Sequence, residues 1–244
     1  MFWRKKKKEV SKGGSEIFRH KDQENKDWRP PSAYCVFAEE ISAHFDSLFP
    51  NRETSVFHEI ISDLVHIDVH IMKPAPDENY YVIYTTGMSD LPMTLPNEIN
   101  DRKNWEYAEL FMFLPDSWNP GDALDVGSDI SNNDYWAIQV IKFLARMPHE
   151  YKTWLGQGHT IPNGPDYEPY LDGSDMSGVV LLDMGENYGP LNTKNGSKVN
   201  FYMVMPITRA ETAYKLEYGM SALIDKFEEK DVPMIIDMYR KSVV

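Results

Sequence analysis

The residues in this sequence best suited to chemistry are His58, Glu59, His66, Asp68 and His70. Two imidazoles and a carboxylate suffice to hold a transition metal with positions left open for a substrate, so a metal-dependent hydrolase is the enzymatic alternative to be weighed. The spacing argues against it. His66, Asp68 and His70 alternate as on one face of a strand, and at roughly 3.3 Å per residue the two histidines stand about 13 Å apart, too far to share an ion. His58-Glu59 opens like the zinc-binding H-E-x-x-H helix, but the place of the second histidine is taken by Ser62. The expectation is a polar sheet face with no metal and no cofactor.

Three further groups invite a chemical reading. Gly87-Met88-Ser89-Asp90-Leu91-Pro92 comes after a strand-like run, where a nucleophile elbow would sit, yet the elbow needs a glycine two residues either side of its serine and position 91 is Leu. A turn in which Gly87 supplies an unusual backbone angle, with Ser89 or Asp90 capping the next stretch of chain, is the plainer reading. Cys35, flanked by Tyr34, Val36 and Phe37, reads as core filler in a helix rather than as a nucleophile. Asp166, Tyr167, Glu168, Tyr170, Asp172 and Asp175 crowd one segment; their spacing lacks the alternating ligands and closing Glu of a calcium loop, whereas tyrosines among acids suit contact with a basic protein. Asp122, Asp125, Asp129 and Asp134 admit the same two readings, a contact surface or a solvated loop. Gly158 and His159 read as a buried structural turn.

These residues need elements to hold them. Apolar positions at helical spacing predict a helix over residues 32–48, ended by Pro50. Strands are expected over 56–61, 64–72, 80–86 and 108–114, and a helix over 134–147 with Asn133 or Asp134 as its N-cap. Residues 156–178 carry Gly, Pro and Asp every few steps and read as a long loop. Strands over 179–184 and 199–207 come next. Thr208 and Glu211 then form a capping box that opens two helical stretches, with a break at Gly219 and an interruption at Pro233. The fold class is α+β, a mixed β-sheet flanked by helices in a single domain covering 30–244, preceded by a basic flexible tail over 1–29.

Charge is divided unevenly. The 244 residues carry a net charge of -13, but residues 1–30 hold ten Lys and Arg against five acids, leaving 15 against 33, or -18, for the remainder. An acidic body repels nucleic acid and attracts basic proteins. The opening Lys cluster leads into Glu9, Ser11 and Lys12 rather than into the apolar stretch of a secretory signal, and no run approaches the length of a membrane helix. With one cysteine, the chain is expected to be cytoplasmic, with no membrane partner.

Several segments resemble, in order, the Suppressor of Fused-like domain family. They are His66-Ile67-Asp68-Val69 leading to Lys73-Pro74, then Thr85-Thr86-Gly87-Met88-Ser89-Asp90, Ala108-Glu109-Leu110 through Trp118, Gly158-His159-Thr160-Ile161-Pro162-Asn163, and Met205-Pro206-Ile207 before Glu211. The resemblance spans most of residues 32–230 and marks His66, Asp68, Gly87, Met88, Ser89, Asp90, Gly158, His159 and Thr160 as motif positions. It implies a stand-alone domain of the N-terminal type, acting as a non-enzymatic protein-binding module. Bacterial relatives of that kind are associated with toxin systems, which implies an immunity or antitoxin protein that neutralises a basic protein partner. A structural component of a larger assembly is a further alternative.

Overall fold

In a computed structural model the described residues are 8–20, 27–120 and 132–244. Thr54–Phe57 (β1), Asp68–Met72 (β2), Tyr80–Thr86 (β3) and Tyr107–Pro115 (β4) form an antiparallel meander. Thr160–Pro162 (β5), Met176–Leu182 (β6), Leu191–Asn192 (β7) and Lys198–Thr208 (β8) complete an eight-stranded sheet of order β1-β2-β3-β4-β8-β6-β5, with β7 paired to β8. Among these strand pairs, β4–β8 alone is parallel. The sheet is therefore mixed, as expected, and helices pack on both of its faces.

Helix α1 (Ala38–Leu48) buries Ile41 and Phe45, and the Phe45 ring stacks on Tyr84 of β3 at 4.0 Å and meets Phe201 of β8 edge-on at 5.3 Å. His70 lies on this face, stacked on Tyr84 at 4.5 Å. Phe57, paired with Val69 in the register, points to the other face, where its ring meets Tyr135 at 5.7 Å and the Lys142 ammonium at 5.2 Å. Both belong to α2 (Asn132–Glu150), which crosses β2, β3 and β4. The core between these layers is continuous, from Val65, Ile67 and Ile71 through Leu110 and Met112 to Val179, Val204 and Leu223.

The capping box at Thr208 is formed: its hydroxyl accepts from the Glu211 amide at 3.1 Å and the Glu211 carboxylate accepts from the Thr208 amide at 2.8 Å. It opens α3 (Arg209–Tyr218), and Gly219, at φ 94°, separates this from α4 (Met220–Glu229). Pro233 lies beyond the last helix instead of inside it, and α2 runs past Met147 to include Pro148.

Several boundaries differ from expectation for identifiable reasons. The first helix begins at Ala38, because the Asp90 carboxylate accepts the Cys35 and Val36 amides at 2.9 and 2.7 Å and holds that stretch out of the helix. Cys35 is accordingly exposed, not core filler. Strand β1 ends at Phe57, since Asp68 takes the Glu59 amide at 3.0 Å, and Ile60 and Ile61 project into solvent. The segment 156–178 is not one unbroken loop: β5 pairs with β6, leaving irregular chain before Thr160 and between Pro162 and Met176. Helix α2 starts at Asn132, ahead of the expected caps; Asp134 sits in its first turn, and Asp122, Asp125 and Asp129 lie outside the described residues.

Of the segment expected to be a tail, residues 8–20 and 27–29 are described, and they touch the body. The Gly13 amide donates to the Leu216 carbonyl at 2.8 Å, Lys12 pairs with Glu217 at 2.7 Å, and Arg29 pairs with Asp63 at 3.0 Å.

Candidate functional site

The motif residues fall into two places. His66, Asp68 and residues 87–90 come together in a buried polar hub at one end of β2, β3 and β4. Gly87 has φ 104°, and a β-carbon there would lie 1.8 Å from the His66 carbonyl oxygen, so the turn needs glycine. Behind it, Glu109 of β4 is fully buried and accepts four hydrogen bonds: Thr85 Oγ1 at 2.6 Å, the Gly87 amide at 3.0 Å, and the Ser89 amide and hydroxyl at 2.9 and 2.6 Å. Burial pushes the Glu109 carboxyl up to about 7 against these donors. His149 of α2 reaches the Met88 carbonyl from outside, at 2.8 Å.

Asp68 joins the histidines. Its Oδ1 faces His66 Nε2 at 2.9 Å and its Oδ2 faces His58 Nδ1 at 3.0 Å, while His66 Nδ1 meets the Ser62 hydroxyl at 2.6 Å and its Nε2 lies 3.1 Å from the Tyr34 hydroxyl. His70 points away from this group to Thr86 Oγ1 at 3.0 Å, and burial pushes its imidazole down to about 4. The expected polar sheet face is thus mostly buried: His66 and Asp68 are each 7% exposed. Glu59 belongs to the same region; burial alone would raise its carboxyl, but Arg146 at 2.5 Å and Lys142 at 3.1 Å hold it below the ordinary value. Among the described residues no group of three or more His, Cys, Asp or Glu is arranged to hold a metal ion. The carboxylates of Asp68, Asp90 and Glu109 are each taken up by donors of the protein, an arrangement that fixes backbone rather than one that presents a base.

Gly158, His159 and Thr160 lie elsewhere, at the far edge of the sheet. The Gly158 amide donates to the Leu181 carbonyl at 2.8 Å and the Leu181 amide to the His159 carbonyl at 2.9 Å, which carries β5 onto β6. The segment between β5 and β6 divides its expected contact residues by direction. Asp166, Glu168, Asp172 and Asp175 are all exposed, and none is in an ion pair with a described residue. Tyr167 is half-buried under the Arg209 guanidinium at 5.1 Å, and Tyr170 turns inward, 6.3 Å from Trp136.

Behind this lip runs a groove between α2, β5 and α3. It comprises two cavities, of about 740 and 600 Å³, that share His20, Phe143, Tyr151, Ile161 and Pro162. Residues 13–20 form one wall of the larger cavity, with the Phe18 ring 6.3 Å from His159. Two buried charged residues fall outside the site residues expected from the sequence. Glu109 had a visible signal, a lone charge inside an apolar strand. Lys215, 5% exposed in the last turn of α3, had none.

A mixed sheet with helices on both faces, a carboxylate-clamped turn at the end of its middle strands and a groove at its short edge strand define the class of protein. The family profile described as "Suppressor of fused protein (SUFU)" matches residues 63–241, and the chain belongs to that family. Solved structures share the fold. A putative SUFU homolog from Neisseria gonorrhoeae FA 1090 aligns with TM-score 0.60 at 16% identity, over 85% of this chain and 97% of its own. A chain of the Sufu-Fu complex aligns with TM-score 0.57 at 13% identity, covering 88% and 93%, and Drosophila Suppressor of Fused with TM-score 0.55 at 12% identity, covering 83% of this chain and 50% of its own. No curated protein matches the sequence. Among the described residues, no helix is long and apolar enough to cross a membrane.

Proposed function

We propose that this chain is a non-enzymatic protein-binding module that captures a basic protein through the acidic lip around residues 163–175 and the groove behind it, and that it works as an immunity or antitoxin protein in the cytoplasm. The observation that carries the reading is the state of Asp166, Glu168, Asp172 and Asp175: four exposed carboxylates beside a groove of mixed polar and apolar lining, with no cation of the described protein spent on them. Uncompensated acids at the rim of a concave surface suit a basic partner, because they steer its approach while the groove supplies contact area. The -18 balance of residues 31–244 acts in the same direction and disfavours nucleic acid. The Sufu-Fu complex supports the reading from another side, since a chain of this fold takes part there in a protein complex.

The experiment is capture of partners from the native cell with the full chain, then reconstitution of the complex. A basic protein that forms a defined complex, and whose own activity falls on binding, is the expected result. A hydrolytic activity that co-purifies with the chain through every step, with no protein partner, would overturn the proposal.

A further inference from the structure

The larger cavity, part of the groove in the proposed contact, holds two polar groups that the cations of a basic partner would leave unmatched. Lys215 is 5% exposed and lines the cavity, yet among the described residues its ammonium has neither a hydrogen-bond acceptor nor a counter-ion. Trp154 lines the same cavity, and its buried Nε1 has no hydrogen-bond partner among the described residues. The other charged side chains on the wall are committed: Arg19 is held by Glu9 at 2.7 Å, and Glu16 by Lys8 at 3.1 Å. A largely buried lysine without a counter-ion is costly, and burial pushes its ammonium below the ordinary value; an anion bound in the cavity would relieve that cost.

The surroundings define what would satisfy both groups. His159 stands in contact with Trp154, ring centroids 4.4 Å apart, and burial together with the nearby Lys215 pushes it down to about 4, so at neutral pH it adds no second positive charge. One cation and one neutral N–H match a singly charged acceptor better than a phosphate dianion. Phe18, Met147, Ile161 and Met220 make much of the remaining wall apolar. Gly158, at φ 75°, brings the chain close to Met220: a β-carbon there would stand 3.2 Å from Met220 Cγ.

We propose that this cavity is a binding site for a carboxylate carried on an apolar or aromatic body, with Lys215 as its counter-ion and Trp154 Nε1 as a hydrogen-bond donor. Two sources could offer that chemistry: a small aryl or alkyl carboxylic acid, or the free C-terminus of a peptide ending in an apolar residue.

Calorimetric titration of the full chain tests it with four probes: 3-phenylpropionate and its primary amide, and an N-acetylated tripeptide ending in Phe as the free acid and as the amide. At least one acid is expected to bind, with its amide weaker by about tenfold or more, the size of a charge-assisted hydrogen bond. Binding of the small acid assigns a metabolite-like ligand, and binding of the tripeptide acid alone assigns a chain terminus. Lys215→Met should bring the acid down to the affinity of the amide, and its melting temperature should be no lower than that of the wild type because no ion pair is lost. Trp154→Phe should weaken the acid more than the amide. The proposal is overturned if neither acid binds, if each amide binds as tightly as its acid, or if Lys215→Met leaves the acid's affinity unchanged. The comparison of acid with amide uses the unaltered protein and stands even where a variant fails to fold.

Discussion

The backbone of Gly87 is pressed against the carbonyl of His66, so closely that a β-carbon on residue 87 would sit 1.8 Å from that oxygen. The contact locks the end of β3 against the stretch that enters β2 and places the Ser89 amide and hydroxyl on Glu109. Gly87→Ala meets both the left-handed backbone at φ 104° and a backbone clash that no rotamer relieves. Unfolding in urea should show a loss of about 3 kcal/mol or more. A loss under about 1 kcal/mol would mean that the turn can open without disturbing the hub.

Glu109 gives the protein a pH dependence of definite sign. Burial raises its carboxyl from 4.5 unfolded to about 7 in the fold, so between those values the native state binds the extra proton. Its contribution is then most favourable below pH 4.5 and is lost as pH rises through 7. Glu109→Gln keeps an oxygen for the Gly87 and Ser89 donors and removes the titration. Stability measured at about pH 5 and about pH 8 should fall by up to about 3 kcal/mol more in the wild type than in Glu109→Gln. Equal changes in the two proteins would show that the four donors keep Glu109 ionised throughout.

How much of this is legible in the sequence depends on whether the deciding bond is local. Strand β3 is readable to the residue, since Tyr80 to Thr86 is apolar and β-branched between turn signals. So is the capping box at Thr208, whose partners are three residues apart. The start of α1 is not, because Asp90, more than fifty residues downstream, holds the amides of Cys35 and Val36. Strand β5 is hidden for a similar reason: a Gly- and Pro-rich segment becomes a strand only because β6 presents a free edge to it. Alternation along one strand would keep the histidines apart, but the chain before β2 bends so that Asp68 faces both His58 and His66. The motif positions emerge from the resemblance, while the cavity with Lys215 and Trp154 exists only in the packed molecule.

The basic segment should be dispensable for folding despite its contacts. Lys12–Glu217 and Lys8–Glu98 are exposed ion pairs to the body, a type that adds little to stability, and Gly13 adds one backbone hydrogen bond to Leu216. Deleting residues 1–27 is expected to lower the melting temperature by only a few degrees, about 2 to 4 °C per kcal/mol at this size. Calorimetry checks this directly. A drop beyond about 10 °C would make residues 8–20 an integral part of the fold and move the domain boundary to the start of that segment.

The acidic lip makes the sharpest prediction about function. Asp166, Glu168, Asp172 and Asp175 are exposed and make no ion pair with a described residue, so replacing all four by Lys removes no such pair and should leave the stability of the fold within about 1 kcal/mol. Tyr170 and Leu171, which do pack inward, are left untouched. The substitution turns a local balance of four negative charges into four positive ones, directly in the path of a basic partner. Association at low salt should slow by about 10-fold or more, and the salt dependence of the rate should flatten or reverse, because screening now removes repulsion instead of attraction. Dissociation should change much less if the groove carries the contact area, since rim charges act mainly on encounter. Stopped-flow association at two salt concentrations separates the outcomes. An unchanged rate with an unchanged salt slope would place the partner on another face, and an unchanged association rate with a strongly raised dissociation rate would make these carboxylates direct contacts rather than steering charges.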